Sequence, residues 1–183
     1  MIEKLTLKDR IIFTTIVTIL IWMHLAWDYF HGGVPIHHIL HRGDLPGISN
    51  WWGGIALPLL TWFLLYLIQN KMNQNGESGM RNSLIYLFYR FLAALIFGVL
   101  LSFFFEIGSD IPGQMMIGII LISFFVSLFQ PEYFLGFVLG MAYTFGAILP
   151  IGIGIVLNII FIVTYKIVRS GILFLILKIR QQI

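Results

Sequence analysis

Long apolar runs separated by short polar intervals set the pattern of this chain. A hydrocarbon core needs about 20 consecutive apolar residues in a helix. The runs therefore predict an all-α, polytopic transmembrane helix bundle of about six spans, at residues 11–31, 51–69, 84–105, 114–129, 133–149 and 151–168. The whole chain, 1–183, reads as a single integral membrane domain.

The punctuation between the runs supports these limits. Gly32, Gly33 and Pro35 end the first run, and Trp51 and Trp52 open the second as interfacial aromatics, with Pro58 expected to kink it. The stretch NKMNQNGESGMRN, residues 70–82, is the most polar and reads as a connection. Pro112 and Gly113 follow the third run, and Gln130, Pro131 and Glu132 stop the fourth, with Glu132 placed to cap the fifth helix. Gly136, Gly140 and Gly146 should allow close helix packing in the fifth run, and Pro150 should separate it from the sixth. Asn158, in the sixth run, reads as a polar tie between helices, and the tail 170–183 as a basic interfacial helix.

Composition agrees. Hydrophobic residues make up 59% and charged residues 10%, far below the roughly 25% charged of a soluble domain. The absence of cysteine excludes disulfides, thiolate nucleophiles and sulfur-ligated metals, so any metal must be held by nitrogen and oxygen. The first run follows Lys4, Lys8 and Arg10 without a small-residue cleavage site and is expected to be retained as a helix.

Charge then orients the bundle. With the N-terminus in the cytoplasm, the inner segments hold Lys4, Lys8, Arg10, Lys71, Arg81, Lys166, Arg169, Lys178 and Arg180, with Arg90 nearby, while the outer segments hold Arg42. Because basic residues are retained inside, both termini are expected in the cytoplasm of a cell (inner) membrane protein. The net charge of +3 is thus a matter of orientation, and no nucleic-acid motif or partner is indicated.

Candidate chemistry gathers in one place. All five histidines, His24, His31, His37, His38 and His41, fall between residues 24 and 41, with Asp28 among them and Asp44 just after. On a helix, His24, Asp28 and His31 share a face within about 60°. His24 lies roughly 21 Å along the axis from Arg10, just below the outer surface. His37 and His41 would share a second face if residues 36–42 formed a helical turn, and Gly32 and Gly33 would let this group fold back over the first. Glu106 and Asp110, at the outer end of the third span, are placed to complete the site.

Imidazole and carboxylate donors suit a divalent transition metal, zinc or iron. The expected function is a metal-dependent membrane enzyme with an extracytoplasmic site, hydrolysing or oxidising a lipid or other apolar substrate. His24, Asp28, His31, His37, His38, His41 and Glu106 are the candidate metal ligands, and Glu106 and Asp110 the candidate catalytic carboxylates. The alternative is a small transporter or channel that uses the same cluster as a divalent-cation or proton site for an ionic small molecule. A second alternative is a non-catalytic assembly subunit. Membrane lipid is the expected partner in each case, and a homo-oligomer is compatible with all three. The histidines resemble the boxes of membrane desaturases only in kind, since the later spans contain none.

Overall fold

Thr6 and Asp9 start the first helix by exchanging hydrogen bonds. The Asp9 amide donates to Thr6 Oγ1 at 3.3 Å, and the Thr6 amide to Asp9 Oδ2 at 2.8 Å. The helix they open, α1, runs over Leu7–Phe30. A computed structural model describes residues 5–38, 47–74, 80–171 and 178 of the chain. Among these the elements after α1 are strands β1 (Ile36–His38) and β2 (Gly47–Ser49), a 3-10 turn at Asn50–Trp52, and helices α2 (Gly53–Gln74), α3 (Met80–Glu106), α4 (Ile111–Ile122), α5 (Pro131–Phe145) and α6 (Ile148–Ile162). A π-helical segment, Val163–Val168, continues α6.

Among the described residues the fold is all-α apart from one antiparallel ribbon, in which Ile36 pairs with Ser49, His37 with Ile48 and His38 with Gly47. A helical turn over 36–42 is therefore replaced by strand at 36–38. The reason is local: Gly32 and Gly33 turn the chain out of α1 at φ 129° and 96°, and Pro35 then leads it into extended pairing. His41, Arg42 and Asp44 lie outside the described residues.

Among the described residues, four helices are long and apolar enough to cross a membrane, at Leu7–Phe30, Asn50–Gln74, Leu84–Glu106 and Ile148–Gly171. This supports a multi-pass membrane protein. The remaining two, α4 with 12 residues and α5 with 15, are shorter than the runs predicted. The fourth expected span reached residue 129, but α4 stops at Ile122. There the Ser123 hydroxyl donates to Ile120 O at 2.6 Å, and Phe124 and Phe125 donate to carbonyls only three residues back. The break between α5 and α6 also differs from expectation. Gly146, at φ 66°, makes the turn, while Pro150 sits inside the first turn of α6, where a missing N–H costs no helical bond.

Contacts along the helices fix their directions. Near the start of α1, Arg10 Nη1 donates to Gln69 Oε1 at 2.9 Å, whereas near its end Trp22 and Leu25 close on Gly54, so α1 and α2 run antiparallel. Helices α3 and α5 run parallel: a Cβ on Gly136 would strike Phe91 O, one on Gly140 would strike Leu95 O, and one on Gly98 would meet Phe137 O at 2.7 Å. The expected glycine packing is thus present, with backbones rather than side chains in contact. Because α3 and α5 point the same way, residues 107–130 must return the full length between them. The ends of the bundle are accordingly distinct. Arg10, Gln69, Lys71, Arg90, Gln130 and Glu132 gather at one end, while Asp28, Pro35, Asn50, Glu106 and Ala147 mark the other.

At the first of these ends, Glu132 stands in the first turn of α5, as expected, but it does more than favour the helix start. Its side chain is 1% exposed, and its Oε1 accepts from Arg90 Nη1 at 3.0 Å and from Lys71 Nζ at 3.2 Å. Lys71 also donates to Gln130 Oε1 at 2.7 Å. One carboxylate thereby ties α2, α3 and α5 together. A buried charge is tolerable when it is paired in this way, and costly when it is not.

Candidate functional site

The last turns of α1 deliver two of the predicted residues to a common pocket. Leu25 is fully buried against Gly54 of α2, which fixes the rotation of α1 and turns His24 and Asp28, four residues apart, toward the start of the ribbon. His24 Nε2 and Asp28 Oδ2 stand 3.7 Å apart. That is an ion-pair distance, longer than a hydrogen bond. Asp28 Oδ2 is buried and accepts no hydrogen bond from the protein.

The ribbon closes one side. The Asn50 amide donates to Pro35 O at 3.1 Å, so the residues just before β1 and just after β2 are bonded at the pocket rim. Asn50 is itself buried, and its side-chain amide lies against Gly146, where any Cβ would collide with it. The glycine at that turn is thus required both by its positive φ and by Asn50.

The opposite wall comes from the paired ends of α3 and α5. Phe105 meets Phe145 edge-on with ring centroids 4.8 Å apart, which brings Glu106 level with Tyr143 and Thr144. The Tyr143 ring lies 5.1 Å from that of His24. Together these residues line a half-open polar recess of about 220 Å³, with Glu106 and Tyr143 exposed, large enough for several waters or a small polar group.

Thus His24 and Asp28 from α1 and Glu106 from α3, singled out from distant parts of the sequence, share one pocket. Other candidates are placed elsewhere. His31 follows the last turn of α1, is exposed, and stacks on Trp27 with centroids 3.8 Å apart and planes 15° from parallel. Its Nδ1 also bonds Trp27 O at 2.9 Å. Its amide still donates to Trp27 O at 3.1 Å, so the residue closes the last turn of the helix, but its ring is taken up by Trp27 and does not line the pocket. Asp110 takes the N-cap position of α4, is exposed, and does not line the pocket. His37 and His38 belong to β1, which begins at the rim. Among the described residues, no three of His, Asp and Glu stand close enough to hold one metal ion.

Sequence reasoning missed Asn50, Tyr143 and Thr144 as pocket residues. Asn50 reads as part of a helix start, and Ser49 does accept there from the Trp51 amide at 3.4 Å. Tyr143 carries one available signal, since it lies at the same end of its span as Glu106 does in the third. No protein-family model, curated protein or solved structure matches the chain.

Proposed function

We propose that the chain is an integral membrane enzyme of six spans, with both termini in the cytoplasm, whose outer pocket acts on a lipid or another apolar substrate with the help of a divalent metal. The observation that carries this reading is the meeting of His24, Asp28 and Glu106 in one pocket at the end of an apolar bundle. Ionisable groups are costly inside such a bundle and are retained there for work. Orientation follows from charge: Arg10, Lys71 and Arg90 occupy the opposite end, which the positive-inside rule assigns to the cytoplasm.

His24 supplies an imidazole, the side chain best suited to move protons near neutrality, and Asp28 lies where it can orient that ring. Glu106, on the facing wall, is the second acid–base group. Support for a metal comes from the donor set. His24 Nε2 and the unpartnered Asp28 Oδ2 are near enough to share an ion, and nitrogen and oxygen ligands suit zinc or iron. When bound, such a metal supplies a water acidic enough to attack an ester or phosphoester. The remaining positions on such an ion would be open to water or substrate, since among the described residues no third His, Asp or Glu is close enough to join these two.

The test is elemental analysis of purified protein beside lipid turnover. Stoichiometric zinc or iron is expected, lost together with turnover in His24→Ala. Metal-free protein that turns over no lipid, with a fold unchanged by that substitution, would overturn the reading.

One observation favours a second reading. A buried carboxylate oxygen without a donor, as in Asp28, also suits the cation or proton site of a small transporter. Divalent-cation flux into proteoliposomes, abolished in Asp28→Asn, would select it.

A further inference from the structure

The end of the bundle opposite the pocket carries a second arrangement that neither acid–base chemistry nor a metal uses. Along α3, Arg90, Ala93, Ala94 and Phe97 follow one another at three- and four-residue spacing and so lie on one face. Arg90 reaches Glu132 of α5 at 3.0 Å, and its guanidinium carbon lies 6.0 Å from the Tyr133 ring. Tyr133, Ala93, Ala94 and Phe97 then line a cavity of about 170 Å³ between α3, α4, α5 and α6. Its remaining walls are apolar except for Asn158, whose amide is occupied in donating to Gly154 O at 2.9 Å within α6. An expected helix–helix tie is thus an intrahelical bond on a cavity wall.

A polar rim and an apolar interior are joined here through Tyr133. The cavity is close in size to the roughly 150 Å³ apolar space that accepts a benzene-sized guest, which is room for part of an acyl chain. Next to Tyr133 in the chain, Glu132 is one carboxylate faced by two cations. Lys71 and Arg90 remain 35% and 38% exposed, whereas Glu132 is 1% exposed, so the unbalanced positive charge is presented outward. This charge matches an anionic headgroup in the leaflet at that end.

We propose that this end of the protein binds an anionic glycerophospholipid. Its phosphate is held by Arg90 and Lys71, and the first part of one acyl chain enters the cavity past Tyr133. The site is separate from the His24 pocket and does not depend on the function assigned there.

The test is native mass spectrometry, or lipid exchange in nanodiscs, on the full chain with phosphatidylglycerol and phosphatidylcholine of matched chain length. One net charge near a surface gives the anionic lipid a preference of about fivefold. Glu132→Gln, which removes the competing carboxylate, should widen that preference by a similar factor. The double variant Arg90→Gln with Glu132→Gln leaves Lys71 as the one charge, +1 as in the unaltered protein, and should bring the preference back from the Glu132→Gln level to about fivefold. Ala93→Phe, at an exposed position on the cavity wall, should weaken both lipids alike and leave the fold intact. Equal binding of the two lipids by the unaltered protein would overturn the proposal. So would displacement of phosphatidylglycerol by millimolar inorganic phosphate, since the site would then recognise a free anion without a chain.

Discussion

His24 Nε2 and Asp28 Oδ2 face each other at 3.7 Å across one turn of α1, and that carboxylate oxygen is buried without a hydrogen-bond donor. A group in this condition lowers stability, because desolvation of an unpaired acceptor costs about 1–3 kcal/mol. Asp28→Asn is therefore expected to leave the unfolding midpoint in detergent unchanged or raised, while removing metal or substrate binding. A clear loss of stability in this variant would show Asp28 to be a structural residue.

The two histidines of α1 and its end should separate cleanly. His24→Ala is expected to abolish activity or metal uptake. His31→Ala, at an exposed ring stacked on Trp27, should retain both, with stability altered by no more than about 0.5 kcal/mol. It should instead change the tryptophan emission, because it removes a stacked ring from Trp27. Loss of function in His31→Ala equal to that in His24→Ala would refute the placement.

At the other end of the bundle, the cost of a substitution should depend on which partner is removed. Arg90→Ala leaves Glu132 buried beside Lys71 alone and should cost about 3 kcal/mol, as breaking buried pairs does. Glu132→Gln leaves two half-exposed cations that water can reach, and should cost less. Reversible unfolding in mixed micelles measures the order, and the opposite ranking would contradict it.

The parallel seam of α3 and α5 gives a sharper contrast. Gly136→Ala and Gly140→Ala would drive a methyl into the carbonyls of Phe91 and Leu95, so both should unfold at markedly lower denaturant. Gly118→Ala, with open space around it, should be neutral or gain up to about 1 kcal/mol from helix propensity. Similar behaviour of all three variants would mean that the seam is not closely packed.

Much of this arrangement was visible in the order of residues. Apolar runs indicated helices, glycine spacing indicated a close seam, and His24 with Asp28 shared a face because helical periodicity required it. Glu106 could be brought to them by reasoning about span direction alone. The rest depended on contacts that local pattern does not carry. Glu132 reads as a helix-start acid until Arg90 and Lys71, 42 and 61 residues away, are placed beside it. His31 satisfies the helical arc, but its ring stacks on Trp27 instead, and the ribbon at Ile36–His38 exists only because Gly47–Ser49 pairs with it. The early stop of α4 depends on a serine hydroxyl whose other neighbour, Thr164 at 2.7 Å, lies on the last helical stretch.

The placement of Glu132 also bears on how the protein is made. Helix α5 is short and carries an acid in its first turn, so it gains little by entering a bilayer alone. Lys71 and Arg90 precede it in the chain and leave the ribosome first. The neutralising partners are thus already synthesised when the acid emerges, and integration of α5 becomes a docking event onto earlier segments. Translation order thus lets this buried charge meet its partners as it arrives.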